Sequence, residues 1–287
     1  MNDKLSRILG NYAQQALRQE VNLTPKPGLV DPVTPGAHRD MDHALFLKSI
    51  AALAPFFHQY VQLGQYATSL AALFQATRQL GQTAEQAMLT ATNGVNTHKG
   101  ANFSFGFLLA SLGWTLKQQS LKQLVARDFQ PWLTNVQALT AGRLLPDFTN
   151  LATKSTLSYG EKLYKTAGIT GIRGEAEAGY PVIAKTILPF LTTNEDAAPL
   201  RYWKLMLILM TQVTDTNLLH RGGLPGWQFV QPQAKQILQQ PDDKLEANLI
   251  KFDQCLTAKY LSPGGTADYL SLGMFIDHLI AASWRLS

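Results

Sequence analysis

Apolar residues in this chain recur at helical spacing almost wherever they recur at all, and that pattern leaves little room for a sheet. Leu5, Ile8, Leu9, Tyr12, Ala16 and Leu17 form one stripe, and Leu45, Ala52, Leu53, Phe56 and Tyr60 form another behind Asp42, a good N-cap residue. Strand-like alternation is scarce. The capping-box spelling at Thr83 to Gln86, Ser120 to Gln123 and Ser158 to Glu161 predicts three further helix starts. Residues 101–116 are almost wholly apolar, with Gly106 and Gly113 spaced for close packing, and further helices are expected over 199–214, 243–260 and 266–284.

Only 16% of the residues are charged while 46% are hydrophobic, so much of each helix must be buried. A length of 287 residues exceeds one typical domain, yet a single all-helical domain with one continuous core accommodates it. The expectation is therefore an all-α fold, residues 1–287 forming a single compact multi-helix domain with its site in loops at helix ends. Cys255, the only cysteine, shares the spacing of Leu245, Leu249, Phe252 and Leu256 and is expected to be a small core residue. No apolar stretch reaches membrane-spanning length, and the N-terminus leads straight into an amphipathic helix, which fits a reduced cytoplasm and no membrane partner. The net charge of +5 comes from scattered Lys and Arg rather than a basic run, so no nucleic acid is expected; such a charge suits a polyanionic small molecule.

Glycine and proline gather where polar residues gather. Thr24 to Asp42 is a proline-rich loop in which Asp31, Asp40 and Asp42 can bind a hard cation and Lys26, His38 and Arg39 can bind phosphate. Asn96-Thr97-His98-Lys99-Gly100 opens the apolar 101–116 helix, where a helix N-terminus attracts anions. Between Ser158 and Tyr180, Glu161 reads as half of a capping box. Arg173, Glu175 and Glu177 stand among glycines, and the two carboxylates, two residues apart, point in different directions, one to a site and one to water or a metal. Asp215 and His220 are placed to share a metal or a proton, and Arg221 with two glycines can hold a phosphate, although a helix stop explains those glycines equally well. Ser262 to Asp268 reads as a turn and cap.

Taken in order, TPKPGLVD at 24–31, GAHRDMD at 36–42, NTHKGANF at 96–103, YGEKLY with GIRGEAEAGYP at 159–181, DTNLLHRGG at 215–223 and SPGGTADYL at 262–270 resemble the triphosphoribosyl-dephospho-coenzyme A synthases. That resemblance implies a transferase that joins ATP and 3′-dephospho-coenzyme A into 2′-(5″-triphosphoribosyl)-3′-dephospho-coenzyme A and releases adenine. The product is the prosthetic-group precursor for the acyl carrier subunit of citrate lyase, or of malonate decarboxylase in related systems. The acyl carrier subunit and the enzyme that attaches the group to it are the implied protein partners.

Such chemistry asks for Mg2+ and cationic clamps on a triphosphate that is held but not hydrolysed. Lys26, Arg39, Lys99, Arg173 and Arg221 are the available clamps, Asn96 orients a ligand, and Asp40, Asp42, Glu177 and Asp215 are the expected metal ligands. A carboxylate should stabilise oxocarbenium character on the ribose, Glu175 first and Asp31 next. His38, His98 and His220 are expected to titrate near neutral pH and to move protons. An α-linked product from a β-nucleoside is most economically made by one inverting displacement. Two alternatives stay open from the residues: a helical magnesium-dependent hydrolase of a nucleotide or ADP-ribose-like ligand, and a non-catalytic module binding a nucleotide or an acyl carrier protein.

Overall fold

In a computed structural model, residues 3–149, 151 and 154–283 are described, and among them there are thirteen α-helices and no strand. The first half comprises α1 (Asp3–Asn22), α2 (His43–Tyr66), α3 (Leu70–Ala91), α4 (Lys99–Thr115), α5 (Leu121–Val125) and α6 (Gln130–Thr140). A 3₁₀ turn, Leu145–Phe148, leads to α7 (Tyr159–Ala167) and α8 (Gly171–Glu177). A π-helical turn, Ile183–Ile187, runs into α9 (Leu188–Thr193), followed by α10 (Leu200–Gln212), α11 (Thr216–Leu238), α12 (Leu245–Ala258) and α13 (Gly264–Ser283). The all-α expectation holds.

Two helices form the centre because they have no polar face to offer water. From Ala101 to Thr115, α4 is buried almost all round, and so is α13 from Thr266 to Ile276. The amphipathic α1, α2, α3, α6 and α10 pack around them with their apolar stripes inward. The crossing of α2 and α4 is made by glycine: a Cβ on Gly113 would sit 2.1 Å from the Val61 carbonyl oxygen, and one on Gly64 would sit 1.9 Å from that of Ala110. No side chain fits there, so the backbones meet directly. Against Gly106, by contrast, the ring of Tyr60 packs.

Caps placed by local spacing are found where expected. Asp42 accepts from the Leu45 N–H at 2.8 Å, and both the Ser120 and Ser158 capping boxes are complete, with Gln123 and Glu161 as their reciprocal halves. Thr83 to Gln86 departs from the expectation. It lies in the middle of α3, whose cap is Ser69, and Thr83 donates its hydroxyl back to the Gln79 carbonyl, so the same spelling is read as an ordinary interior turn. Cys255 is half-buried rather than core, because the stripe of α12 falls on Leu245, Leu249, Phe252 and Leu256. The helix stop expected at Gly222 and Gly223 is present: Gly223 is non-helical (φ 60°, ψ −164°), so α11 is two helical segments joined across a kink there, the second reaching Leu238. No helix among the described residues is long and apolar enough to cross a membrane.

Candidate active site

The proline-rich loop is built around Asp31. Its buried carboxylate accepts from the Thr24 hydroxyl at 2.7 Å and from the N–H groups of Lys26, Val33 and Thr34 at 3.3, 2.8 and 2.9 Å. The expectation that Asp31 stabilises a sugar cation is therefore replaced by a structural one: those bonds use its lone pairs to hold the loop. Lys26 is no phosphate clamp either. Its ammonium is 1% exposed and paired with the buried Glu20 of α1. At Gly28 (φ 72°) a Cβ would lie 2.3 Å from the Leu261 carbonyl oxygen, so glycine lets the loop dock against the α12–α13 connection.

Docking brings His38 between two partners, Arg221 at 2.8 Å from Nδ1 and the Ser262 hydroxyl at 2.8 Å from Nε2. A guanidinium can only donate, so Nδ1 accepts and Nε2 carries the proton toward Ser262. Burial, reinforced by Arg221, pushes the His38 pKa down to about 4. Arg221 also donates to the Ala37 carbonyl at 2.8 Å, and Arg39 lies over the ring of Tyr260. Asp40 is exposed, 3.9 Å from His38. The segments Thr24–Asp42, Asp215–Gly223 and Ser262–Asp268 are thus one assembly, held largely by their own contacts.

His220 does not share anything with Asp215. Its ring lies 3.9 Å from that of Tyr159 on α7, and its pKa is lowered by burial, Arg221 and Lys162. Asp215 is 1% exposed: Oδ1 accepts from Asn217 and Leu218 at the start of α11, while Oδ2 accepts from the N–H and hydroxyl of Thr266 at the start of α13. One carboxylate caps two helices. Glu177 is likewise occupied, taking the N–H groups of Gly142, Leu144 and Leu145 ahead of the 3₁₀ turn. With Asp42 serving as a cap, three of the four expected metal ligands are backbone holders, and among the described residues no three His, Cys, Asp or Glu side chains are grouped to hold a metal.

The start of α4 is as polar as its sequence promises. Asn96 accepts from the Lys99 N–H at 3.2 Å, and Thr97 donates to Ser49, whose hydroxyl lies 2.7 Å from His98 Nδ1. His98 packs edge-on against Phe46, 3% exposed, and its Nε2 has no partner. The acceptor at this helix N-terminus is an internal carboxyl. A Cβ on Gly100 would lie 2.1 Å from Asp268 Oδ2, and the Asp268 carboxyl faces the Ala101 N–H. Enclosure of that carboxyl, with Asp215 and Glu20 nearby, pushes its pKa well above the carboxylate range, even though part of the side chain remains accessible.

His98 also gives the protein an acid-sensitive element. Burial, then Lys26, depresses its pKa from 6.5 to about 3. Below pH 6.5 the unfolded chain gains a proton that the folded chain refuses, so this residue's contribution falls by about 2 kcal/mol by pH 5, relative to pH 8. The buried carboxylates with raised pKa act in the opposite sense, so the variant isolates the effect. Urea unfolding at pH 5 and pH 7 should show a shallower loss in His98→Gln than in the parent; parallel losses would refute the assignment.

A cleft of about 200 Å3 opens between α3, α4 and α8, lined by Arg78, Lys99, Gly100, Phe103, Asp147 and Arg173 among others. Lys99 pairs with Glu85 at 2.6 Å, and Asp147 sits between Arg78 at 2.9 Å and Arg173 at 3.2 Å. Of the five predicted clamps, Lys99 and Arg173 alone share this cleft. A larger open groove between α2 and α3, about 730 Å3 and lined by Gln59, Tyr66 and Gln79 among others, contains none of the motif residues. Size does not mark the site here.

On the other side of α8, half-buried Glu175 lies beside the Tyr269 hydroxyl and the Val182 N–H, and the Ser104 and Tyr180 hydroxyls lie beside each other, but Glu175 Oε2 and the three buried hydroxyls close no well-aligned hydrogen bond. Burial raises the pKa of Glu175. Tyr180 holds a left-handed backbone (φ 56°) directly after Gly179 (φ 77°), a costly conformation for a bulky residue. Glu175 and Glu177 do point apart, as their spacing requires. Sequence reasoning missed Asp268, which lay inside a segment read as a cap; it missed Glu20, Arg78, Asp147 and Tyr180 too. Nothing local distinguishes Arg78 or Asp147, since only the packing of α3 against the 3₁₀ turn joins them.

The sequence matches, over residues 6–286, the family described as ATP:dephospho-CoA triphosphoribosyl transferase. The chain belongs to this family. It is 41% identical to a probable 2-(5″-triphosphoribosyl)-3′-dephosphocoenzyme-A synthase of Streptococcus mutans, covering 94% of this chain and 96% of the relative. A probable synthase of the same description from Streptococcus equi subsp. zooepidemicus is 42% identical, over 97% of this chain and 99% of its own length. One from Streptococcus pyogenes serotype M3 is 39% identical, over 94% and 96%. No solved structure matches this chain.

Proposed function

We infer that this chain transfers the 5-triphosphoribosyl group of ATP to the 2′-hydroxyl of 3′-dephospho-coenzyme A and releases adenine. The full-length family match carries this reading, because it takes in every polar cluster described above. The C1′–N9 bond breaks with its electron pair on adenine, a C1′–O bond forms to the acceptor, and a proton passes from the acceptor hydroxyl to the base.

Arg78, Lys99 and Arg173 are the cations suited to hold the triphosphate. Mg2+ bound to that triphosphate would neutralise part of its charge and asks the protein for only one or two carboxylates. Glu85, accessible on the cleft, fits that use better than Asp42, Glu177 or Asp215. Glu175, which burial pushes toward its neutral form, is suited to protonate the departing base, a role different from charge stabilisation by an ionised carboxylate. The acceptor proton restores it, directly or through solvent. His38, with both ring nitrogens engaged, serves to fix Arg221 and the proline-rich loop. Delivery of the product toward an acyl carrier subunit is the step downstream.

Chromatography of ATP with 3′-dephospho-coenzyme A, each omitted in turn, tests the reading. Adenine is expected only when both are present. Adenine or ribose phosphate released without the acceptor would indicate a hydrolase, and no adenine in any mixture a binding module.

A further inference from the structure

Arg78 lies on α3 outside every motif, yet it shares one carboxylate with Arg173 of α8. Asp147, on the 3₁₀ turn, is held between the two guanidiniums at 2.9 and 3.2 Å, and all three side chains remain accessible, at 34%, 34% and 26%. A structural ion pair buried for good would not leave both cations facing a cleft. With Lys99 and Glu85 in the same walls, three cations face two acids, so the cleft carries a positive excess.

The guanidiniums have supports besides Asp147. Arg78 lies over the ring of Phe74 at 5.8 Å, and Arg173 lies over Phe148 at 5.5 Å and Phe103 at 5.9 Å. The turn that carries Asp147 has anchors besides the two arginines: Glu177 of α8 at its start, and stacking of Phe148 on Tyr164 at 4.2 Å. Aromatic supports on the arginines, and an acid whose turn is tethered by contacts other than theirs, describe an anion site with its own counter-ion in it.

We propose that Arg78 and Arg173 form a two-arginine fork for the polyphosphate of the nucleotide substrate, and that Asp147 is an internal stand-in that the polyphosphate displaces. The proposal rests on the transferase reading for the source of the polyphosphate, but the site itself can be probed without turnover. An entering phosphate group takes the N–H donors that Asp147 holds, one from each guanidinium, and Lys99 adds a third contact from the start of α4.

The test is calorimetric titration of the full-length chain with inorganic tripolyphosphate and, separately, with ATP, alongside thermal unfolding of each variant. Arg78→Ala should weaken tripolyphosphate binding roughly tenfold or more. Arg78→Lys should recover only part of that, since an ammonium cannot reproduce the fork. Asp147→Asn should act in the opposite direction and tighten binding severalfold, because the competitor has lost its charge. A purely structural Asp147 would show lowered thermal stability with weaker or unchanged binding, and that result overturns the proposal. Unchanged tripolyphosphate and ATP affinity in a folded Arg78→Ala overturns it too, whatever the adenine assay gives. Arg78-dependent binding without adenine release would instead defeat the transferase reading and leave the site standing.

Discussion

Replacing Glu175 by Gln is expected to cut adenine release by about 10²- to 10⁴-fold while ATP affinity stays within severalfold. The amide keeps the shape of the carboxyl but cannot pass a proton. Three observations support Glu175 as the proton-passing group: its Oε2 is buried without a well-aligned hydrogen bond, burial raises its pKa, and the hydroxyl of Tyr269 lies beside it. The sign of the pH dependence follows. An acid that must be protonated to act loses activity as pH rises through its pKa, so the parent should show a falling alkaline limb that Glu175→Gln lacks. Steady-state kcat across pH, with equilibrium ATP binding measured in parallel, decides the matter. Lost ATP binding with normal residual turnover would make Glu175 a ligand holder instead.

The second large effect concerns folding. Asp215→Ala removes the side-chain acceptor for two helix N-termini at once, α11 through Asn217 and Leu218 and α13 through Thr266. A single cap contributes about 0.5–2 kcal/mol, so the double cap should cost about 3 kcal/mol, with Asp215→Asn recovering part of it. Denaturant unfolding reads this directly. A variant as stable as the parent but with its magnesium dependence altered would return Asp215 to the metal ligands and remove it from the caps.

Some features of this molecule are local enough for sequence to specify. The all-helical class follows from apolar periodicity, the central position of α4 and α13 from their lack of a polar face, and the caps at Asp42, Ser120 and Ser158 from hydrogen bonds that span three residues. Six ordered motifs pointed to the family, and residues 6–286 match it. Even local patterns have a boundary, shown by Thr83, where a capping-box spelling sits inside α3 because the flanking residues already continue the helix.

The assignment of charged residues to tasks was not local. Lys26, Asp31, Asp215 and Glu177 look in sequence like ligands for phosphate or metal, and each is taken up by the chain itself, Asp31 within its own loop, Lys26 by the end of α1, and Asp215 and Glu177 by distant segments. A carboxylate accepts from whichever N–H groups packing brings within reach, and a buried cation takes the acid beside it, since leaving either unpaired is costly. Arg78 and Asp147, sixty-nine residues apart, show the converse, ordinary in sequence and joined at one cleft. The chain's own spacing determined the helices, their caps and the family; tertiary structure decided which polar groups bind the protein to itself and which stay free for a ligand, because that choice depends on distances between helices that no local pattern contains.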